Sequence, residues 1–232
     1  MVPVTARLVP AWQACEATGA VVVVDVLRAF TTAAYAFAAG AQRIWLVRSV
    51  QEALAVKAAR PRTLAMGEDR GRRVPGFDFS NSPAELANAD LAGYDDVQRT
   101  SAGTRGVDEA RSATRRWCAG LVCASAVTAS GLGEPSYVIT GWFDTEHPGE
   151  DDVQTARLID RIRRGEPTRA QQTTAAILGS REAAVTLGPG HADPHDLELA
   201  TRIDAFDFAM EAEQTSDGLQ LKIRRRRTTP LG

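Results

Sequence analysis

The strongest constraint on the fold is the short valine-rich run at residues 20–26, in which Asp25 is the one polar residue. The run is too short for a helix and its β-branched side chains are nearly continuous, so it predicts a central strand buried on both faces. Asp25 therefore lies near the end of a buried strand, where a carboxylate is costly unless it is paired or binds a metal ion. A fold built around this strand has to cover both faces and give Asp25 a partner.

Strand-like and helix-like segments alternate along most of the chain. The predicted strands lie at residues 20–26, 43–47, 96–100, 117–124 and 136–142. The predicted helices lie at residues 29–39, 50–59, 106–116, 125–130, 150–164, 168–178 and 193–203. A closing hairpin is predicted at residues 206–213 and 218–223. Alternation of this kind is typical of α/β layer folds, and we predict a single α/β domain over residues 1–232.

Residues 64–85 are predicted to form a long loop, because glycine and proline occur there at a density that disfavours regular structure. Phe77 and Phe79 flank Asp78 and argue against disorder, since disordered segments are poor in aromatic residues. We predict that both rings dock on the core and hold Asp78 at a functional site rather than in a solvated loop. The loop leads into a helix whose predicted capping box consists of Ser82, Pro83 and Glu85.

Composition excludes several classes of function. A net charge of -2 lacks the basic excess of a nucleic-acid binder. The three cysteines lack the CxxC spacing of a zinc site, and the motifs GxxxxGK[ST] and GxSxG of P-loop NTPases and α/β-hydrolases are absent. No apolar stretch approaches the roughly 20 residues of a membrane span, and no signal peptide is recognisable. We therefore predict a cytoplasmic protein with no nucleic-acid or membrane partner.

Three segments are predicted to converge at the carboxyl ends of the strands, where open α/β sheets bind ligands. The first holds Asp25 and Arg28, for which a local ion pair is the alternative interpretation. The second is a loop of small residues whose backbone N–H groups could face an anion, with a plain N-cap at Thr104 as the alternative. Its candidate phosphate-binding residues are Arg99, Thr100, Ser101, Gly103, Thr104 and Arg105. The third is the acidic pair Glu150 and Asp151, which could simply complement the helix dipole.

Carboxylates are the oxygen ligands that a hard cation prefers. Five of them are predicted to approach one another, namely Asp25, Glu68, Asp78, Glu150 and Asp151. Magnesium commonly uses one or two carboxylates together with substrate phosphate oxygens. The sequence therefore predicts a site for Mg²⁺ and a small anionic phosphate ester.

Five motifs occur in a fixed order along the chain. They are residues 24–29, Gly67-Glu68, residues 76–83, residues 100–104 and Glu150-Asp151. In this combination, over roughly residues 20–208, the chain resembles the 2-phosphosulfolactate phosphatase (ComB) family. The resemblance implies a three-layer α/β/α fold with a mixed sheet and a magnesium-dependent acid phosphatase. Such an enzyme cleaves 2-phosphosulfolactate to sulfolactate and phosphate on a route to coenzyme M, and a homodimer is expected.

The residues that fall on these motifs are expected to form the site, and the resemblance does not assign their individual roles. The residues expected to be catalytic are Asp25, Arg28, Glu68 and Asp78, and those expected to hold the metal are Asp25, Glu68, Glu150 and Asp151. Asn81 and Ser82 are expected to join the residues of the 99–105 segment in binding substrate. A second anionic group of the substrate is expected to meet Arg70, Arg72 or Arg105. Attack on phosphorus by a carboxylate and attack by a metal-activated water both stay open.

The chain departs from the family pattern at a few positions. Ser101 and Ala102 stand where the family loop carries threonine and asparagine, so an amide that could contact the substrate is lost. Ser80 replaces a usual glycine, and Asp69 displaces the expected arginine to Arg70. A lost polar contact alters discrimination among analogues strongly, so these changes bear on the substrate more than on the chemistry. The alternatives are a phosphatase of another small phosphate ester and a non-catalytic anion-binding protein on the same scaffold.

Overall fold

The valine-rich run forms a central strand, Ala20–Val24, in the computed structural model, which describes residues 6–188 and 193–225. The four valines are fully buried, because parallel strands flank this strand on both sides and helices cover both faces. This prediction is confirmed, and the strand ends directly before Asp25.

Ten strands and nine α-helices make up the described part of the chain. The strands are β1 (Arg7–Pro10), β2 (Ala20–Val24), β3 (Ile44–Leu46), β4 (Thr63–Gly67), β5 (Phe79–Ser80), β6 (Asp95–Arg99), β7 (Arg115–Ala119), β8 (Ser136–Ile139), β9 (Phe208–Thr215) and β10 (Gly218–Arg225). The helices are α1 (Ala29–Ala38), α2 (Val50–Ala59), α3 (Pro83–Leu86), α4 (Gly103–Glu109), α5 (Ala124–Thr128), α6 (Glu150–Arg163), α7 (Ala170–Leu178), α8 (Arg181–Thr186) and α9 (His195–Ala200). Short 3-10 helices cover Ala11–Glu16 and Leu121–Cys123.

The strands form one mixed sheet in the order β1-β8-β2-β7-β9-β10-β3-β6-β4-β5. The first four strands are mutually parallel, as are the last four, and the antiparallel hairpin β9–β10 joins the two groups. Three antiparallel pairings separate the groups, so the groups run in opposite directions. A flat sheet would place their carboxyl ends at opposite edges. Gly103, which follows β6, nevertheless lies against Asp25 after β2, so the sheet must curl strongly.

The helix α1 lies inside this curl. All of its residues from Ala29 to Phe37 are buried, which is possible because alanine dominates the helix and lets its neighbours approach closely. The ring of Phe37 packs edge-on against Phe208 of β9, and the side-chain amide of Gln98 in β6 donates to the Ala29 carbonyl oxygen at 2.8 Å. The helix thus contacts both groups of strands, and its first turn is held next to the end of β2.

Helices on both faces of the sheet give a three-layer α/β/α arrangement. Ile44 and Met66 belong to the main core, whereas Trp45 and Ala65, the next residues along β3 and β4, pack on the opposite side with the helix α2. The helices α4 and α6 both contact β2. The expected fold class is therefore confirmed. Within the described residues, no helix is long and apolar enough to cross a membrane.

Several predicted elements are confirmed and others are wrong. The helices α1, α2 and α6 and the closing hairpin form at nearly the predicted bounds. The prediction of an irregular segment from residue 64 is wrong at its start, because β4 pairs with β6 over Thr63–Gly67. The helix predicted at 106–116 is α4, which begins earlier and ends at Glu109. The strand β1 and the helix α8 were not predicted, because short segments carry little periodic signal.

The segment after β4 is ordered by its side chains. Phe77 is buried and Phe79 packs against the core, as predicted. Ser82 caps the helix α3, since its Oγ accepts a hydrogen bond from the Glu85 N–H at 3.3 Å. The capping box is nevertheless incomplete, because the Glu85 carboxylate accepts from the backbone and hydroxyl of Ser80, at 2.9 and 2.7 Å.

Candidate active site

Asp25 lies at the carboxyl end of β2 and is only 6% exposed. Its Oδ1 accepts a hydrogen bond from the Ala29 N–H at 2.8 Å, in the first turn of α1. Its Oδ2 faces Gly103, where a Cβ atom would lie only 2.7 Å away. Burial raises the pKa of Asp25 to about 6, although the hydrogen bonds from Ala29 and Thr140 oppose the rise. The close approach requires glycine at position 103.

Arg28 is buried beside Asp25, but its carboxylate partner comes from the far end of the chain. The guanidinium Nη1 donates to Oδ2 of Asp196 in the helix α9. Arg28 thus has a buried carboxylate partner other than Asp25, with which the sequence left a local ion pair open. The sequence predicted only a helix around Asp196. An acidic residue in a first helical turn carries no signal of a partner 168 residues away.

Glu68 follows β4 and ties two turns together. Its carboxylate accepts hydrogen bonds from the Gly71 N–H at 2.6 Å, from the Ser101 hydroxyl at 3.0 Å and from the Ser101 N–H. The backbone N–H of Arg70 donates to the same hydroxyl at 3.1 Å. This network binds the turn after β4 to the turn after β6. It places the side chain of Arg70 at the pocket wall.

The predicted anion-binding loop divides into two parts. Thr100, Ser101 and Ala102 line the pocket. Thr104 instead stabilises the turn, since its N–H donates to the Thr100 hydroxyl at 3.0 Å and its own hydroxyl donates to the Thr100 carbonyl oxygen at 2.7 Å. Gly103 provides space beside Asp25.

The arginines on either side of this loop do not line the pocket. Arg99 pairs with Asp69 at 2.9 Å and donates to the Glu68 carbonyl oxygen, so it stabilises the turn. Arg105 is exposed and lies 3.6 Å from Glu109. The structure therefore does not bring either guanidinium to the cavity, because Arg99 is held by the turn after β4 and Arg105 points along α4.

The buried carboxylates in the first turn of α6 are those of Asp151 and Asp152, and Glu150 is not buried. Asp152 accepts hydrogen bonds from the Val26 N–H at 2.8 Å and the Gly141 N–H at 2.9 Å, so it joins the ends of β2 and β8. Asp151 is 3% exposed, and its Oδ1 has no hydrogen-bond partner among the described residues. Burial, followed by repulsion from Glu182, raises the pKa of Asp151 to about 8.

The predicted convergence of five carboxylates is wrong for Glu150 and Asp78. Glu150 bonds to Gln154 one turn further along α6. Asp78 forms an ion pair with Lys57 at 2.7 Å and accepts from the Ala65 N–H at the same distance, so it joins α2 to β4. Which acidic residue of a helical turn or loop faces the site depends on how that element docks. The docking was not visible in the motif spacing.

The remaining site residues surround a cavity of about 400 Å³. Its charged and polar lining residues include Asp25, Arg28, Glu68, Arg70, Asn81, Thr100, Ser101, His147, Arg181 and Glu182. Phe143 and Val185 form an apolar rim. Ser82 and Arg72 do not line the cavity. Arg181, Glu182 and Val185 were missed because α8 was not predicted.

The oxygen donors of the site suit a magnesium ion only in part. Within residues 6–188 and 193–225, no three His, Cys, Asp or Glu side chains are close enough together to enclose a metal ion. The buried side-chain oxygens that lack a hydrogen-bond partner among these residues nevertheless include Asn81 Oδ1, Asp151 Oδ1 and Glu182 Oε2. The arrangement fits a cation held by one or two carboxylates with water and substrate oxygens, as is usual for Mg²⁺. It does not fit a cage built from protein ligands alone.

Known proteins resemble this chain over most of its length. The family model of 2-phosphosulpholactate phosphatase matches residues 8–188. A probable 2-phosphosulfolactate phosphatase of Bacillus subtilis (strain 168) is 32% identical over 202 residues, which cover 84% of this chain and 88% of the relative. A protein of Thermoplasma acidophilum with the same name is 40% identical over 190 residues, which cover 82% and 84% of the two chains.

These matches confirm the resemblance that the five motifs indicated. They include the ends of β2, β4 and β6, where the charged residues of the pocket are held. The chain therefore belongs to the 2-phosphosulpholactate phosphatase family, a family of phosphoric monoester hydrolases.

Proposed function

We propose that this chain is a magnesium-dependent phosphatase that hydrolyses 2-phosphosulfolactate to sulfolactate and phosphate, a step on a route to coenzyme M. The observation that carries the proposal is a single cavity lined by Asp25, Glu68 and Arg28. Asp25 is buried, and hydrogen bonds hold the Glu68 carboxylate in place. Opposite charges held around one cavity suit a phosphate group together with a cation. The names of the relatives support the choice of substrate.

The basic residues of the cavity suit a substrate with several anionic groups. Arg28, Arg70 and Arg181 all line it. 2-Phosphosulfolactate carries a phosphate, a sulfonate and a carboxylate, and guanidinium groups bind such planar or tetrahedral anions through several N–H donors. We assign the phosphoryl group to Arg28, which is buried, and the outer anionic groups to Arg70 and Arg181.

The carboxylates suit a role in holding magnesium. Asp25 and Asp151 are buried and repel each other, and burial raises the pKa of both, so a bound cation would offset their charge. We propose that Asp25 and Asp151 hold the ion, with water and substrate oxygens as its remaining ligands. Glu68 contributes mainly by fixing the two turns. When bound, magnesium polarises the phosphoryl oxygens and offsets the negative charge that develops on them.

The protein itself orients the phosphate ester. Asn81 and the wall formed by Thr100 and Ser101 offer polar groups beside Arg28. The exposed rings and methyl groups of Phe143 and Val185 border the entrance, where they can limit the access of water to a bound substrate.

The proposal is tested by measuring phosphate release from a panel of small phosphate esters, with magnesium and with a chelator. We expect release from 2-phosphosulfolactate that requires magnesium. Asp25→Asn should lower kcat by about 100-fold or more, because the pocket loses a charge that acts on the reacting group. Asp108→Asn removes a partly exposed carboxylate of α4 that pairs with Arg48 and is the matched control.

The panel also decides between the alternatives. Ala102, which stands where the family loop carries asparagine, lines the cavity, so one polar contact to the substrate is lost. A different small phosphate ester is therefore the second candidate substrate. Preferential release from another ester would identify that substrate. Absence of release from every ester by folded protein would refute the phosphatase and favour a non-catalytic anion-binding protein. The cytoplasmic location and the homodimer stay predictions.

A further inference from the structure

Asp196 is fully buried beside the pocket and contacts two other segments. Its Oδ2 accepts a hydrogen bond from Arg28, which follows β2. Its Oδ1 accepts from the Ser82 hydroxyl at 2.6 Å and from the Ala84 N–H at 3.0 Å, at the start of α3. The family match ends at residue 188, so Asp196 lies beyond the matched region.

We propose that Asp196 is a positioning residue that orients the guanidinium of Arg28 for binding the phosphoryl oxygens. This inference rests on the proposed function. A guanidinium is planar, and its N–H donors have fixed directions. A carboxylate that binds one nitrogen therefore sets the direction of the other N–H groups. Because both side chains are buried, solvent screens their attraction only weakly, and the geometry is rigid.

The fixed position of Asp196 supports this role. Its second oxygen is bound by two donors from α3, so the carboxylate cannot follow a rotation of Arg28. The position of the guanidinium is therefore fixed relative to the helices α3 and α9. A purely structural ion pair would need only to satisfy the buried charges, and it would not affect the binding of phosphate.

Kinetic measurements distinguish a positioning role of Asp196 from a purely structural ion pair. They compare Asp196→Asn, Arg28→Lys and the double variant. The asparagine oxygen can still accept from Ser82 and Ala84, but the charge facing Arg28 is lost. We expect Asp196→Asn to lower kcat/KM for phosphate release by about 10–100-fold and to raise the inhibition constant of inorganic phosphate. The double variant should be no worse than Arg28→Lys alone, because both changes disable the same group.

Asp160 provides a matched control. It is a buried aspartate of α6 that pairs with Arg163 and Arg164 outside the pocket. Asp160→Asn should weaken the fold but keep kcat/KM within about threefold of the wild-type value. Circular dichroism and thermal unfolding establish that each variant is folded. If Asp196→Asn does not fold, Asp196→Glu, which displaces the charge by one methylene, takes its place under the same criteria.

Unchanged kcat, KM and phosphate inhibition in the folded variant would overturn the inference. So would losses that multiply in the double variant, since Asp196 would then act independently of Arg28. Failure of the proposed function is a separate result, namely no phosphate release by the wild-type protein. In that case, calorimetry with inorganic phosphate tests the inference, which requires binding at least about tenfold weaker in Asp196→Asn.

Discussion

At the scale of single residues, the buried carboxylates whose pKa is raised differ in what could offset their charge. Asp25 and Asp151 lie at or beside the pocket, where a cation and a substrate would account for their burial. Asp96 on β6 is also fully buried, yet neither of its oxygens has a hydrogen-bond partner among the described residues. Burial, together with the nearby charges of Asp78 and Asp95, raises the pKa of Asp96 to about 7. Its charge therefore opposes folding.

We predict that Asp96→Asn stabilises the protein at alkaline pH. In the unfolded chain Asp96 loses its proton near pH 4, whereas the folded protein keeps it until about pH 7. The wild-type free energy of unfolding therefore falls as pH rises through this window, and the full penalty is present above it. At pH 8.5 the variant should be more stable by roughly 2–4 kcal/mol, with little difference near pH 4.

Urea unfolding at several pH values measures this effect. Asp95→Asn is the neighbouring control, since Asp95 forms a partly exposed ion pair with Arg43. Its removal should change stability by less than about 1 kcal/mol. A stability gain of Asp96→Asn that did not vary with pH would show that the charge of Asp96 is not its cause.

At the scale of elements, the site is assembled from the turns that follow β2, β4 and β6. Glu68 joins the second turn to the third, and Gly103 lets the third approach Asp25. A Cβ atom at position 103 would lie 2.6 Å from the Cβ of Ala29 and 2.7 Å from the Asp25 carboxylate. Neither neighbour can move away easily, because one belongs to the buried helix α1 and the other is held by it.

Gly103→Ala is therefore expected to displace Asp25 or the start of α4. We predict a loss of stability of about 1–3 kcal/mol from overpacking, together with a loss of kcat of at least about tenfold. Thermal unfolding and phosphate release measure the two effects.

Gly106→Ala is the control that distinguishes the loss of stability caused by crowding from a loss of kcat caused by a displaced Asp25. A Cβ there would lie 2.8 Å from the Thr140 methyl group and 3.2 Å from Val23, on the same helix, but it would not contact the Asp25 carboxylate directly. This variant should lose a comparable amount of stability and keep more of its kcat. Equal losses of kcat in both variants would contradict the special role of Gly103.

How much of each element was predictable follows from the type of signal it carries. The helix α6 was predicted almost to the residue, because an acidic first turn and an apolar stripe are local features. The strand β4 was missed, since its pairing with β6 is a long-range contact that outweighs the glycine at its end. Asp25, Arg28, Glu68 and Asn81 were predicted as site residues and line the cavity, whereas Asp78 and Glu150 do not.

At the scale of the whole molecule, one core connects the two parallel groups of strands. The same cluster of buried side chains contains Val23 of β2 and Met66 of β4, and α1 lies between them. A separate cluster that contains Trp45 packs against α2. Because β9 and β10 complete the sheet between the groups, neither group has its own closed core. We therefore expect the chain to unfold as one unit, as a single domain requires.

Single-tryptophan variants test this prediction. One variant keeps Trp45, and the other keeps Trp117 of β7, with phenylalanine replacing the remaining tryptophans of the four in the chain. Within each variant, the urea midpoint from fluorescence should equal the midpoint from far-UV circular dichroism, since a cooperative unit gives coincident transitions. The comparison within one variant removes the effect of the substitutions on stability. Separated midpoints would show that the two regions unfold independently.

The sequence by itself determined the fold class, the central strand and the family, because hydrophobic periodicity and short motifs are local properties of the chain. It also identified the charged residues that follow β2 and β4. Only the tertiary structure decided that the sheet curls, that Asp196 pairs with Arg28, and that α8 brings Arg181 and Glu182 to the cavity. The reason is physical: the partner of a buried charge is selected by how distant elements pack, and no local pattern records that choice.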